Sequence, residues 1–142
     1  MTADQIFSDA NSVAVLCWIL LAILPDRRWV TRSVTGTAMP VLFAVAYVAI
    51  VIAVLPHASG SFSTLAGVME LFANPWLVLA GWLHYLAFDL LVGCWEVRDA
   101  RERGVPHWLV VPCLFLTFMF GPAGWLAYLA VRTGRTRRPV TP

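Results

Sequence analysis

The sequence predicts an all-α integral membrane bundle of four transmembrane helices, and three observations carry that expectation. The chain is 60% hydrophobic and 13% charged, with a mean hydropathy of +0.76, too apolar for a soluble domain of 142 residues. Its charges fall in short clusters. Between the clusters lie four apolar runs of roughly the 20 residues needed to cross about 30 Å of hydrocarbon. The spans are expected near 6–24, 37–55, 74–98 and 107–131, followed by a basic tail over 132–142, all in one membrane domain covering 1–142. No loop is long enough to be a folding unit, and no internal repeat is visible.

The first span ends at Pro25-Asp26, where Arg27, Arg28 and Arg32 make a short polar loop with Trp29 as an interfacial aromatic. Asn11 and Ser12 are its polar residues, and Asn11 is expected to hydrogen-bond another helix or a headgroup. No Lys or Arg precedes this run and no small-x-small cleavage site follows it, so a removable signal peptide is not expected.

The second span carries Pro40 in its first turn, where a missing N–H does little harm. Tyr47 is its single polar handle. The linker 56–73 holds a short amphipathic piece, TLAGVMELF, which lies along the interface or leads into the third span. Glu70 within it is either solvated or a residue at the mouth of a cavity.

Asn74-Pro75 starts the third span well, since Asn caps a helix and Pro tolerates its first position. At 100° per residue, Asn74, Gly81, Tyr85, Asp89, Val92 and Glu96 fall within about 80° of one another, with His84 at the edge of that half. The opposite half, from Trp76 through Leu91, is apolar and suits lipid. Ionisable groups at this depth cost several kcal/mol unless paired or facing a cavity. His84 and Asp89 lie some 7 to 8 Å apart along the axis and about 140° apart around it, so their partners must come from other helices.

The loop EVRDARERGVPH reads as a solvated turn. The last span runs from His107 to Val131 and is broken at Gly121-Pro122, which frees a carbonyl near Phe118 for Thr117, a neighbouring helix or a water to satisfy. Four full spans are expected. If the break instead turned the last segment back, all ten arginines would share one side of the membrane. All basic residues are arginine, with no basic stripe interleaved with aromatics, which excludes nucleic acid as a partner. Cys17, Cys94 and Cys113 read as small buried hydrophobes. His84, His107, Asp89 and Glu96 are the available metal ligands, but without HxxxH or ExxH spacing no metal site is expected.

The segments AGWLHYLAFDLLVG and PHWLVVPCLFLTFMFGPAGWLAYL resemble the abscisic-acid-deficient-4-like family of small four-helix membrane proteins. Trp82, His84, Asp89 and Leu90 match its W-x-H-x4-D-L core, and Pro122 matches the proline of its last helix. Plant members are associated with making neoxanthin from violaxanthin. No plastid transit peptide is read in the sequence, so the resemblance is to a bacterial branch and implies an expected location in the inner (plasma) membrane. The resemblance implies a hydrophobic carotenoid or isoprenoid substrate within the lipid bilayer. A homo-oligomer or a pathway-enzyme partner is left open.

Turning a 5,6-epoxide into an allenic alcohol needs an acid, a base and no cofactor. Carboxylic acids in dry pockets serve as acids, which makes Asp89 the candidate acid and His84 the candidate base. Tyr85, Asn74, Trp82, Glu96 and Thr117 are the candidate substrate-binding residues. The same residues suit isomerisation or cyclisation of a polyene, and they equally suit a buried network in a non-catalytic protein that binds lipid or pigment.

Overall fold

The structure is a computed structural model that describes residues 1–136 and consists of six helices. Helix α1, Ala3–Ile23, begins at Thr2, whose hydroxyl accepts from the Gln5 amide while the Gln5 side chain accepts from the Thr2 amide. Helix α2 is continuous over Trp29–His57, so Trp29 and Arg32 belong to a helix and not to the expected loop. Its first part, Trp29–Ala38, is π-helical. There the Thr35 and Thr37 hydroxyls each donate to the carbonyl five residues back, at 2.8 Å. Helix α3 is the short piece Leu65–Leu71, capped by Thr64.

Helix α4, Pro75–Glu102, is capped by Asn74, whose side chain accepts from the Trp76 amide at 2.9 Å. Nothing between Pro75 and Gly104 breaks it, so the supposed turn from Glu96 onward is two further helical turns. Helix α4 is the centre of the bundle. Leu79, Leu83, Leu86, Ala87 and Leu90, expected to face lipid, are buried. The first four pack with Ala10 and Ala14 of α1 and Phe43 of α2, because a central helix meets neighbours on both faces. Gly93 is required by this packing: a Cβ there would lie 2.6 Å from the Trp18 ring.

Three helices, Ala3–Ile23, Trp29–His57 and Pro75–Glu102, are long and apolar enough to cross a membrane. The run expected as a single fourth span is divided. Helix α5, His107–Phe120, stops at Gly121, whose φ of 50° lies in the left-handed region, and Pro122 opens α6, Pro122–Thr136. The two helices form a tight hairpin. A Cβ on Gly124 would overlap the Thr117 backbone, which a straight helix would hold about 10 Å away along its axis. His107 contacts the Ala22 carbonyl through Nε2 at 2.8 Å, and Arg132 reaches Asp99 at 3.5 Å. Both open ends of the hairpin therefore lie beside the C-terminal end of α4, and the turn lies beside its middle. The tail expected over 132–142 is helical to Thr136, and its remainder lies outside the described residues.

This folding gathers the arginines. Arg27, Arg28 and Arg32 sit where α1 gives way to α2, and Arg98, Arg101 and Arg103 where α4 gives way to α5. Arg132 and Arg135 sit at the end of α6. Arg101 ties two of these groups together through the Pro25 carbonyl and Asp26, the latter at 3.1 Å. Every arginine among the described residues is thus at one end of the bundle. Asp4, Asp9 and Glu70 are at the other.

Candidate functional site

The polar face of α4 meets the α5–α6 hairpin along a line of carboxyl groups, and each is met by a hydroxyl or by the hairpin turn. At the tip, a Cβ on Gly121 would lie 3.1 Å from Asp89 Oδ1. Asp89 lies midway along α4, so the hairpin turns against it. One helical turn earlier, the Tyr85 hydroxyl donates to the Phe118 carbonyl at 3.1 Å. Pro122, four residues on, has no N–H to offer that carbonyl. A neighbouring helix supplies the donor, as one of the expectations for this break had it.

Deeper between the helices, Thr117 Oγ1 donates to Glu96 Oε1 at 2.9 Å. Both residues have no exposure at all. Asp89 Oδ2 and Glu96 Oε2 are buried and have no hydrogen-bond partner among the described residues. Glu96 is one of the least expected residues to be wholly buried, and an open oxygen on it calls for a proton or a polar ligand atom.

At the arginine end Asp99, 8% exposed, is the focus of a cluster that sequence reasoning missed. The Tyr128 hydroxyl donates to it at 2.6 Å, Arg103 at 2.8 Å, and Arg132 approaches at 3.5 Å. Arg132 is itself buried, with its guanidinium 6.0 Å above the Trp95 ring. Hydrogen bonding to Asp99 raises the pKa of the Arg103 guanidinium above its ordinary value, so no accessible pH discharges it. The signal was present: with no helix breaker before Gly104, Asp99 continues the stripe of Glu96, and Tyr128 and Arg132 are spaced four apart on one helix.

The residues of the W-x-H-x4-D-L core face three different neighbours. Trp82 donates from Nε1 to Asn11 Oδ1 of α1 at 2.8 Å, with its ring 5.3 Å from both Phe7 and Tyr85. This is the interhelical bond expected of Asn11. His84 lies against Tyr47 of α2 at 5.5 Å and stacks on Phe88 at 4.6 Å. It lines a cavity of about 400 Å³ between α2, α3 and α4. Asp89 faces the hairpin. Tyr85, Asp89, Glu96 and Thr117 therefore lie along the seam between α4 and the hairpin, spread over about three helical turns, whereas His84 is turned into a separate space and Asn74 is engaged as the cap of α4. Among the described residues no three His, Cys, Asp or Glu side chains converge as a metal site. The three cysteines are buried, free thiols.

No curated protein and no solved structure matches the chain. The family model described as ABA DEFICIENT 4-like matches residues 5–128, nearly the whole of the bundle from α1 into α6. On that match the chain belongs to the ABA DEFICIENT 4-like family.

Proposed function

We propose that the protein is a membrane enzyme that rearranges a carotenoid or related isoprenoid by acid/base chemistry, with Asp89 as the acid. The observation that carries this reading is the pair of buried carboxyl oxygens on one face of α4, Asp89 Oδ2 and Glu96 Oε2, with no hydrogen-bond partner among the described residues. Intramembrane carboxyls kept only for architecture are satisfied by their surroundings. The family match supports the choice of substrate class.

In the epoxide case Asp89 gives its proton to the epoxide oxygen as the C–O bond breaks, and a base takes the vinylic proton. The product is an isomer of the substrate and no electrons are exchanged. The Asp89 carboxylate so formed is the base nearest that proton; His84 faces away from it, and Glu96, about 10 Å further along α4 and without exposure, is held by Thr117. Tyr85 holds the hairpin, through Phe118, so that its tip lies over the Asp89 carboxyl. Because the hairpin turns back there, a lipid-soluble substrate reaches Asp89 from the half of the bilayer that α5 and α6 leave unfilled. Under the positive-inside rule the arginine end is cytoplasmic, in a bacterial inner membrane. The bundle then makes three crossings and one re-entrant hairpin in place of four crossings.

A second reading is favoured by a different observation: Tyr85 and Thr117 both staple the hairpin to α4, which a non-catalytic pigment- or lipid-binding protein would also need. Expression of the wild type and Asp89→Asn in a carotenoid-producing host, with pigments profiled by mass spectrometry, separates the two. Catalysis gives a new isomer that Asp89→Asn abolishes while the protein still inserts. Unchanged pigments across cyclic, epoxidised and linear substrates would sink the enzyme reading.

A further inference from the structure

The cavity that holds His84 is separate from the carboxyl line, and its construction is specific. Its walls are Val51 and Leu55 of α2 and Leu77, Ala80 and Gly81 of α4. Its cover comes from the linker between α2 and α4, through Phe62, Val68, Leu71 and Phe72. That linker is folded and not loose. Gly60 has a φ of 104°, and a Cβ on it would overlap the Gly67 carbonyl. The Ser61 amide donates to that same carbonyl at 3.2 Å, and Thr64 caps α3 through the Gly67 amide at 3.0 Å. Gly81 leaves the floor open, since a Cβ there would already touch the Phe72 ring at 3.4 Å.

Among the described residues, the hydrogen-bonding side chains that line it are His84 and Tyr47. An acyl chain, apolar along its length, offers neither of them a partner. A ring that bears an oxygen buries its apolar body against the walls and gives the imidazole a hydrogen bond. At roughly 30 Å³ for each non-hydrogen atom, about 400 Å³ takes on the order of thirteen such atoms, far fewer than a whole long polyene.

We infer that this cavity is a binding site for one oxygenated alicyclic end group of a long isoprenoid, with His84 hydrogen-bonding the ring oxygen and the α3 linker closing over the ring. The remainder of the chain leaves through the open side into lipid. The inference rests on the isoprenoid reading above for its ligand class and on the cavity for its location.

The test uses the whole protein in lipid nanodiscs, with affinities measured by competition saturation-transfer NMR. The probes are 3-hydroxy-β-ionone, β-ionone without the ring hydroxyl, and the linear alcohol n-tridecanol. The expected result is that the ring hydroxyl improves affinity about tenfold in the wild type and not at all in His84→Phe. Filling the cavity with Gly81→Leu, or from the facing wall with Val51→Phe, weakens the ring probes at least about tenfold. Linear alcohol binding as tightly as the rings would identify an acyl groove and overturn the inference. So would ring binding indifferent to both filling variants. Affinity is read without turnover: a protein that converts no pigment yet binds the ring through His84 fails the enzyme reading and upholds this one. Asp89-dependent conversion that ignores both filling variants does the reverse.

Discussion

The Tyr85 hydroxyl of α4 donates to the Phe118 carbonyl of α5 at 3.1 Å, replacing the helical donor that Pro122 lacks. A backbone carbonyl beside a helix break has no water to turn to in hydrocarbon. Tyr85→Phe keeps the ring and removes the donor, at an expected cost of about 0.5–2 kcal/mol. Hydrogen exchange at residues 119–121 should accelerate while α1 and α2 stay protected, and uniform protection would show the bond to be dispensable.

The close approach of the two hairpin arms depends on Gly124. Gly124→Ala places a methyl group into the Thr117 backbone, which no rotamer change relieves, so destabilisation of about 3 kcal/mol or more is expected. Gly134, in the same helix, has open space around its Cβ direction. Gly134→Ala should be neutral or slightly stabilising, since Ala is the better helix former. Unfolding of the two variants side by side in detergent gives the comparison, and equal midpoints would refute the close approach.

Topology separates the two hydrophobic readings of the last segment. With native cysteines replaced, Thr2→Cys should react with an impermeant maleimide on intact spheroplasts. Thr133→Cys should react only after permeabilisation, because three crossings put the two positions on opposite sides. Labelling of both from one side is the signature of four crossings.

Asp99 is shared by Tyr128, Arg103 and Arg132. Asp99→Ala takes the carboxylate away from a buried guanidinium and a buried phenol, and a loss of about 3 kcal/mol is expected. The loss should persist from neutral to alkaline pH. The Arg103 pKa is raised in the folded state, so its contribution is present below the ordinary arginine value and is lost only as pH rises beyond it. A variant as stable as the wild type would show that the arginines find other anchors.

Hydropathy and spacing made the membrane class, the third span and the inward stripe from Tyr85 to Glu96 legible, because each depends on local composition or on helical period. Three things were not legible, and each for a tertiary reason. The apolar run 107–131 has the length of a span, and only the left-handed Gly121 together with the fit of Gly124 on Thr117 shows that it doubles back. The apolar half of α4 looks like a lipid face, yet lipid and a neighbouring helix are equally apolar, and composition does not distinguish them. His84 and Asp89 sit five residues apart in one motif, but what each faces depends on where α2 and the hairpin are placed. The Asp99 cluster went unseen because a mixed-charge stretch looks solvated until its helix is followed to Glu102.

The fold-back of α5 on α6 also has a consequence for biogenesis. Each arm, at about 21 to 23 Å, is too short to hold itself across the hydrocarbon, so the pair has no stable address in the bilayer until α4 is already there. Before it docks, Asp89, Glu96 and Asp99 are left uncovered on an incomplete intermediate of three long helices. A chain stopped after Pro106 would carry those carboxyls uncovered. Such a product should be cleared by membrane quality control and not accumulate as a truncated protein, which makes assembly of the hairpin the commitment step in maturation.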